Sequence, residues 1–213
     1  MKRILCAALA CGAVLLFSHC NSGDSGDVSI EPDQTVEVLI DVAHGGLDPG
    51  AISAIDGTTE KDALMAFGDA LRIDLRQNGI VSVLDRPDDR FVSLNDRAKL
   101  ANGLKPALVV SLHLNVSRDS SNQGFVVYYQ RTSDRSRSLG SEIQAQLRTL
   151  HYLKDNGLRT ASFGLLKSIN APAVLVDLAY LSNREDLSAL KEPTRRAQIV
   201  QKLTYAIMRY RGS

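Results

Sequence analysis

From residue 35 onwards, the chain alternates short apolar segments with longer segments in which apolar positions recur every three or four residues. The short segments are rich in Val, Ile and Leu, a composition typical of strands buried on both faces of a sheet. They predict strands at residues 36–42, 80–85, 107–113, 125–129 and 173–178. The longer segments predict helices at residues 60–78, 93–103, 136–153, about 162–169, 183–190 and 194–210.

Strands that alternate with helices indicate an α/β fold. We expect a mostly parallel, twisted sheet of about five or six strands with helices on both faces. The first helix is well marked, because Thr59 is a suitable N-cap and Gly79 follows the last predicted turn. In such folds ligands bind beyond the carboxyl ends of the strands, so polar residues at those ends are the first candidates for a site.

The first 20 residues differ from the rest. They read "MKRILCAALACGAVLLFSHC", a basic start followed by an apolar run that is short for a membrane span, which predicts a signal peptide at residues 1–20. A polar tail follows Cys20, and this order resembles a bacterial lipoprotein signal in which Cys20 is lipidated. The alternative is cleavage by an ordinary signal peptidase near the same place. Residues 21–34 then predict a flexible tether, and residues 35–213 the folded domain.

Cysteine usage and charge exclude several kinds of function. All three cysteines lie within the first 20 residues, so the predicted domain cannot contain a disulfide or a thiolate metal site. The chain's 25 basic and 24 acidic side chains give a formal net charge of +1, which provides no electrostatic basis for binding nucleic acid.

Two histidines and one aspartate lie at the carboxyl ends of predicted strands. His44 follows "VLIDVA", His113 closes "LVVSL", and Asp177 interrupts the apolar run "PAVLVDLAYL". One such histidine by itself is usually structural, but two beside a carboxylate favour a metal site. Glu60 at the start of the first helix would complete a set of two histidines and one glutamate, the alternative being a solvated residue that favours the helix dipole. His151, in contrast, is expected to be a packing or surface residue within a helix.

Four ordered motifs carry a resemblance to a known family. They are "HGGLDPGA", "EK" at 60–61, "SLHLN" at 111–115 and "PAVLVDLAYLSN", with "DRPDDRFVSLNDRAKLAN" and "GFVVYY" between them. Together they closely resemble the zinc-dependent N-acetylmuramoyl-L-alanine amidases over about residues 36–210. Members of that family cut the amide between the lactyl group of N-acetylmuramic acid and the L-alanine that begins the peptide stem.

The resemblance implies Zn²⁺ ligands at His44, Glu60 and His113, and an acidic catalytic residue at Asp177. It also implies peptidoglycan as the substrate and a bacterial envelope location. From the signal pattern we expect a periplasmic protein with a lipid anchor at Cys20, and we expect a monomeric chain. Some relatives block their zinc with a helix inserted after the strand that ends in "YY"; here residues 130–144 continue directly into the next helix, which predicts an open site.

The chain departs from the family pattern where it matters for activity. The catalytic glutamate of the family is an aspartate here, Asp177. Asp177 is therefore either the group that takes a proton from water and passes it to the departing amine, or a structural carboxylate. Arg86 and Asn115 are near strand ends, where they would contact substrate or serve the structure. The alternatives to an active amidase are a peptidoglycan-binding protein that keeps the zinc site but has lost turnover, and a zinc peptidase on a similar sheet.

Overall fold

The computed structural model describes residues 35–212. The predicted signal peptide at residues 1–20 and the tether at 21–34 lie outside the described residues. Among the residues described, no helix is both long and apolar enough to cross a membrane. The six strands are β1 (Val38–Val42), β2 (Ser82–Leu84), β3 (Leu108–Asn115), β4 (Phe125–Tyr129), β5 (Asp155–Thr160) and β6 (Ala173–Tyr180). The six helices are α1 (Glu60–Gln77), α2 (Leu94–Leu104), α3 (Asp134–Leu147), α4 (Gly164–Ser168), α5 (Arg184–Lys191) and α6 (Pro193–Arg211).

The strands form one sheet in the order β2-β1-β3-β6-β4-β5. Every neighbouring pair is parallel except β6 and β4, which are antiparallel, so the sheet is mixed but mostly parallel, as predicted. Helices cover both faces. The apolar residues of α1, α3, α5 and α6 pack on one face, whereas those of α2 and α4 pack on the other.

The first helix starts and ends as the sequence predicts. The Thr59 hydroxyl accepts a hydrogen bond from the amide of Asp62, and Gly79 follows the helix with a positive φ of 74°. Leu64, Phe67, Leu71 and Leu75 are fully buried against the sheet. This fixed start holds Glu60 in the first turn, where its side chain reaches the edge formed by the carboxyl ends of β1 and β3.

Two predictions around residue 150 are wrong. The helix predicted at 136–153 ends at Leu147, so His151 lies in a turn and not in a helix. The pattern of apolar residues also fails to predict β5, which follows this turn and pairs with β4 at the edge of the sheet. Its sequence, "DNGLRT", is polar and its side chains are half-buried or exposed, so it shows none of the apolar run that marks a buried strand.

Candidate metal centre

His44, Glu60 and His113 come together at the carboxyl edge of the sheet. His44 follows β1, His113 lies within β3, which continues two residues further than predicted, and Glu60 opens α1. The Nε2 atom of His44 lies 3.1 Å from Oε2 of Glu60, and Nδ1 of His113 lies 3.3 Å from Oε1. One ligand atom from each residue lies within 4.8 Å of the other two, close enough for all three to hold one metal ion.

The chemistry of these donors fits zinc, which binds imidazole nitrogen and carboxylate oxygen. The two histidine side chains are 25% and 26% exposed, so the space between them is open to solvent on one side. Their rings meet edge to face, with centroids 5.7 Å apart. A set of three protein ligands with one open side is typical of catalytic zinc sites, whereas structural sites are closed by a fourth protein ligand.

Glu60 is held in place by the backbone. The amide of Ala51 donates to Oε2 and the amide of Leu114 donates to Oε1, each at 2.9 Å. Burial opposes ionisation, but hydrogen bonds from His113, His44 and these two amides outweigh it and hold the pKa of Glu60 well below its usual range. The side chain is therefore a carboxylate, the form in which it can bind a metal.

His44 is oriented by a neighbouring carboxylate. Its Nδ1 lies 2.9 Å from Oδ2 of Asp48, which leaves Nε2 facing Glu60. The hydrogen bond with Glu60, together with that to Asp48, raises the pKa of the His44 imidazole above its usual value. A histidine ligand that donates its other ring N–H to a carboxylate is the usual arrangement around protein metal sites, because the carboxylate fixes the ring and its tautomer.

Two buried arginines hold the backbone from which His44 projects. Arg86 donates to the carbonyls of Val42 and Ala43 at 2.8 and 3.1 Å, and Arg97 donates to those of Val42 and His44 at 2.8 and 2.6 Å. His44 has a positive φ of 63°, a conformation that costs a non-glycine residue energy and needs such support. Arg86 is 1% exposed, and its hydrogen bonds go to backbone carbonyls, so it supports the local backbone.

The role of Arg97 is not predicted from the sequence, although a signal for it exists. Asp41 and Asp85 are carboxylates at buried strand ends, as Asp177 is, and each requires a partner. Arg97 supplies it by contacting both aspartates from the inner side of α2, and Ser111 donates a hydrogen bond to Asp41. Burial, with the neighbouring Asp41, raises the pKa of Asp85 above its usual value, against the opposing effect of Arg97.

Asp177 lies on β6 directly opposite His113 on β3, in the same register position. Burial raises the pKa of Asp177 to about 6, against the opposing effect of His113. The side-chain amide of Asn115 donates to Oδ2 of Asp177 at 3.3 Å, so Asn115 contacts the aspartate from the neighbouring strand. A carboxyl group whose pKa is raised by burial, and which lies beside two histidines, is suited to accept and release a proton.

The centre opens into a cavity of about 550 Å³ between α2 and α4. His44, His113 and Asp177 line one end of it, and apolar side chains line much of the rest. The link from β4 to α3 spans residues 130–133, so it holds no inserted helix, as the sequence predicts.

The chain was compared with protein-family models, with known proteins and with solved structures. Residues 38–209 match the family model described as N-acetylmuramoyl-L-alanine amidase. The chain is 32% identical over 191 residues to YqiI of Bacillus subtilis, covering 88% of each chain. It is also 32% identical to the N-acetylmuramoyl-L-alanine amidase LytC of B. subtilis, covering 77% of this chain and 33% of LytC. The solved catalytic domain of CwlV, the amidase from Bacillus (Paenibacillus) polymyxa var. colistinus, superposes with a TM-score of 0.78 at 31% identity, over 82% of this chain and 97% of that domain.

Proposed function

This chain belongs to the N-acetylmuramoyl-L-alanine amidase family, and we propose that it uses zinc to hydrolyse the amide between N-acetylmuramic acid and L-alanine in peptidoglycan. Family membership makes it an amidase that acts on the bacterial cell wall. The observation that supports a metal-dependent reaction is the convergence of His44, Glu60 and His113 beside the carboxyl group of Asp177.

The three proposed ligands are His44 through Nε2, Glu60 through its carboxylate and His113 through Nδ1, the atoms that face one another. When bound, zinc would act as a Lewis acid that polarises the scissile carbonyl and lowers the pKa of water. Asp48 and the amides of Ala51 and Leu114 hold two of these ligands in orientation, so little reorganisation is needed when the metal binds.

Asp177 is proposed to move the proton. It accepts a proton from the attacking water and donates it to the nitrogen of the departing L-alanine, whose amide bond to the lactyl carbonyl breaks. Its position opposite His113 supports this role, because it brings a carboxyl group beside the proposed ligand set, where burial raises its pKa above the usual value. The hydrogen bond from Asn115 keeps the carboxyl group aligned with the metal centre.

The second candidate function follows from the length of the Asp177 side chain. An aspartate is one methylene shorter than the glutamate of the family, which draws the carboxylate back by roughly 1 Å, and such a displacement can lower a rate by about 100-fold. A chain impaired in this way would bind zinc and peptidoglycan without turnover. The two functions differ in product formation and not in binding.

The location follows from the relatives, which include probable cell wall amidases. Action on peptidoglycan requires the folded domain to lie in the cell envelope. We propose a periplasmic domain, a lipid anchor at Cys20 and a monomeric chain. One acyl chain gives only marginal membrane binding, so stable anchoring requires a multiply acylated terminus.

Incubation of the purified protein with muropeptides tests the proposal. We expect mass spectrometry to find free stem peptides with a new L-alanine amino terminus, to lose them when a chelator is added, and to recover them when zinc is restored. The variant His113→Ala is the control for a contaminating amidase. Binding of muropeptides without release of peptide would support the impaired binding protein, and release that survives complete removal of metal would contradict the zinc mechanism.

A further inference from the structure

The edge of the sheet opposite the metal centre carries a cluster of basic side chains. β3 and β6 begin at this edge, and β4, which is antiparallel to β6, ends there. Three surface grooves lie along it, beside Ala107 before β3, Pro172 before β6 and Gln130 after β4. Their linings contain one carboxylate, Asp134, and five cations, which we call the basic edge: Lys105, Arg131, Arg135, Lys167 and Arg211.

Four of the five cations in the basic edge have no ion-pair partner within the part of the chain that the structure describes. Arg211 contacts Glu37, which precedes β1. The other four are exposed and make no side-chain hydrogen bond to another described residue. Arg135 even lies in the first turn of α3, where the helix dipole disfavours a cation. Contacts within the fold therefore do not account for these charges, and they are accessible to a ligand.

The two edges of the sheet differ in charge. The cleft at the metal centre is lined by the carboxyl groups of Asp41, Asp48 and Asp177. Its one cation among the described lining residues, Arg97, is already paired with Asp41 and Asp85. The whole chain has a formal net charge of only +1, so the excess of cations at the basic edge arises from how the charges are distributed. An anionic surface would attract the basic edge more strongly than the cleft and would thereby orient the molecule.

The chain enters the folded domain at the basic edge. Glu37 stands immediately before β1, and its carbonyl accepts a hydrogen bond from the amide of Leu108 at the start of β3. The predicted tether, residues 21–34, joins the domain just before Glu37. A polar coil of 14 residues spans about 20 Å on average, so the proposed lipid anchor at Cys20 would hold this edge of the domain close to a membrane.

We propose that the basic edge faces the membrane and binds the headgroups of anionic phospholipids, with the metal centre held on the far side of the domain. His113 is five residues beyond Leu108 along β3, which places the metal centre about 17 Å from this edge. Attraction to an anionic bilayer falls off within about 10 Å, so it acts on the basic edge and not on the cleft. The orientation would direct the cleft towards the cell wall, and this part of the proposal rests on the proposed function.

Binding of the unacylated chain to vesicles tests the proposal without the anchor. The protein is the mature chain that begins at position 20, carrying Cys20→Ser, and it contains every described residue. The test variant combines Lys105→Gln and Arg135→Gln. The control combines Arg118→Gln and Lys154→Gln, which remove two exposed cations after β3 and before β5, at the edge of the metal centre, and give the same net charge. Co-sedimentation at low ionic strength measures affinity for vesicles of phosphatidylglycerol and phosphatidylcholine.

We expect the parent chain and the control to bind the anionic vesicles equally. The test variant should bind about 25-fold more weakly, because each cation near an anionic bilayer contributes about fivefold. Vesicles of phosphatidylcholine alone should bind none of the three. Equal binding by the test variant and the control would overturn the proposal. It would also be overturned if inorganic polyphosphate at the same phosphate concentration bound the parent chain as tightly as the vesicles, since the surface would then recognise soluble polyanions.

The orientation is measured with one labelled cysteine at each edge, because Cys20→Ser removes the last cysteine of the mature chain. Lipids with a nitroxide headgroup should quench a fluorophore at Asn170→Cys, which lies on the basic edge. They should not quench one at Ser120→Cys, in the loop after β3. Equal quenching at the two positions would overturn the orientation. Both measurements need neither metal nor turnover, so their failure is distinguishable from failure of the proposed amidase reaction.

Discussion

Replacement of Gly50 by alanine should disable the metal centre through steric contact. Gly50 has a positive φ of 65° and lies against two of the proposed ligands. A Cβ atom at this position would lie 2.5 Å from Cδ2 of His44 and 2.7 Å from Oε2 of Glu60. Ordinary contacts begin near 3.4 Å, so the imidazole ring would have to move by about 0.9 Å. The methyl group cannot be accommodated without displacing a ligand.

Two effects of different size follow. Left-handed backbone costs an alanine about 1–2 kcal/mol, which lowers the free energy of unfolding. Displacement of a ligand or its support lowers metal affinity by about 10–100-fold, and a shift near 1 Å in the reacting geometry lowers the rate by about 100-fold. We therefore expect Gly50→Ala to bind zinc at least tenfold more weakly than the wild-type protein, with turnover reduced even when zinc is saturating.

Gly57→Ala is the matched control. Gly57 lies in the same link before α1 and has a φ of 76°, but a Cβ atom there would meet nothing within 4 Å. Urea unfolding without metal should show the cost of the left-handed backbone in both variants, with a further loss in Gly50→Ala from the contact with His44 and Glu60. Competition with a chromophoric chelator should show weaker zinc binding in Gly50→Ala only. Equal zinc affinity in the two variants would refute the steric reasoning and the ligand roles of His44 and Glu60 on which it depends.

Three further residues carry the remaining predictions. Asp177→Asn should nearly abolish release of stem peptide while zinc content stays at the wild-type level, because an amide keeps the shape but cannot take the proton; near-wild-type turnover would return Asp177 to a structural role. Asp177→Glu should raise turnover if the backbone of β6 has not shifted towards the metal centre to compensate for the shorter side chain, and lower it if it has. Arg97→Lys should weaken zinc binding about 10–100-fold, measured by chelator competition, since lysine lacks the planar fork that holds the carbonyls of Val42 and His44. Cys20→Ser should move the protein from the membrane fraction to the soluble fraction, and a wild-type protein already soluble in the periplasm would remove the lipid anchor.

The strands that carry the site can be predicted because their sequences are apolar on both faces. β1, β3 and β6 lie inside the sheet, and each is a near-continuous run of Val, Ile and Leu with polar residues at or near its carboxyl end. His44, His113 and Asp177 therefore stand out as polar groups at the ends of buried strands. The rule that ligands bind at this edge of the sheet then assigns all three to one site.

The elements that the sequence does not predict lack this contrast between an apolar strand and a polar residue at its end. β5 is an edge strand, and only one of its six residues, Leu158, is apolar. The turn before it contains Leu150 and Leu153, which are buried and extend the apolar pattern of α3 beyond the end of the helix at Leu147. Periodicity alone does not distinguish a helix from a turn that packs two leucines into the same core.

Arg97 shows a different limit of prediction from the sequence, which concerns the pairing of buried charges. Its partners Asp41 and Asp85 are distant in the sequence, and the spacing along the chain does not indicate that one arginine neutralises both. The sequence does show that two buried strand ends carry carboxylates in need of a cation. Which of the 25 basic residues meets that need depends on how α2 packs against β1 and β2.

The zinc content of the purified protein tests the central claim most directly. Mass spectrometry of the metal should find about one zinc per chain in the wild-type protein and in Asp177→Asn, and almost none in His44→Ala, Glu60→Ala or His113→Ala, because a site with three protein ligands cannot spare one. A Glu60→Ala variant that binds as much zinc as the wild-type protein would contradict the proposed ligand set.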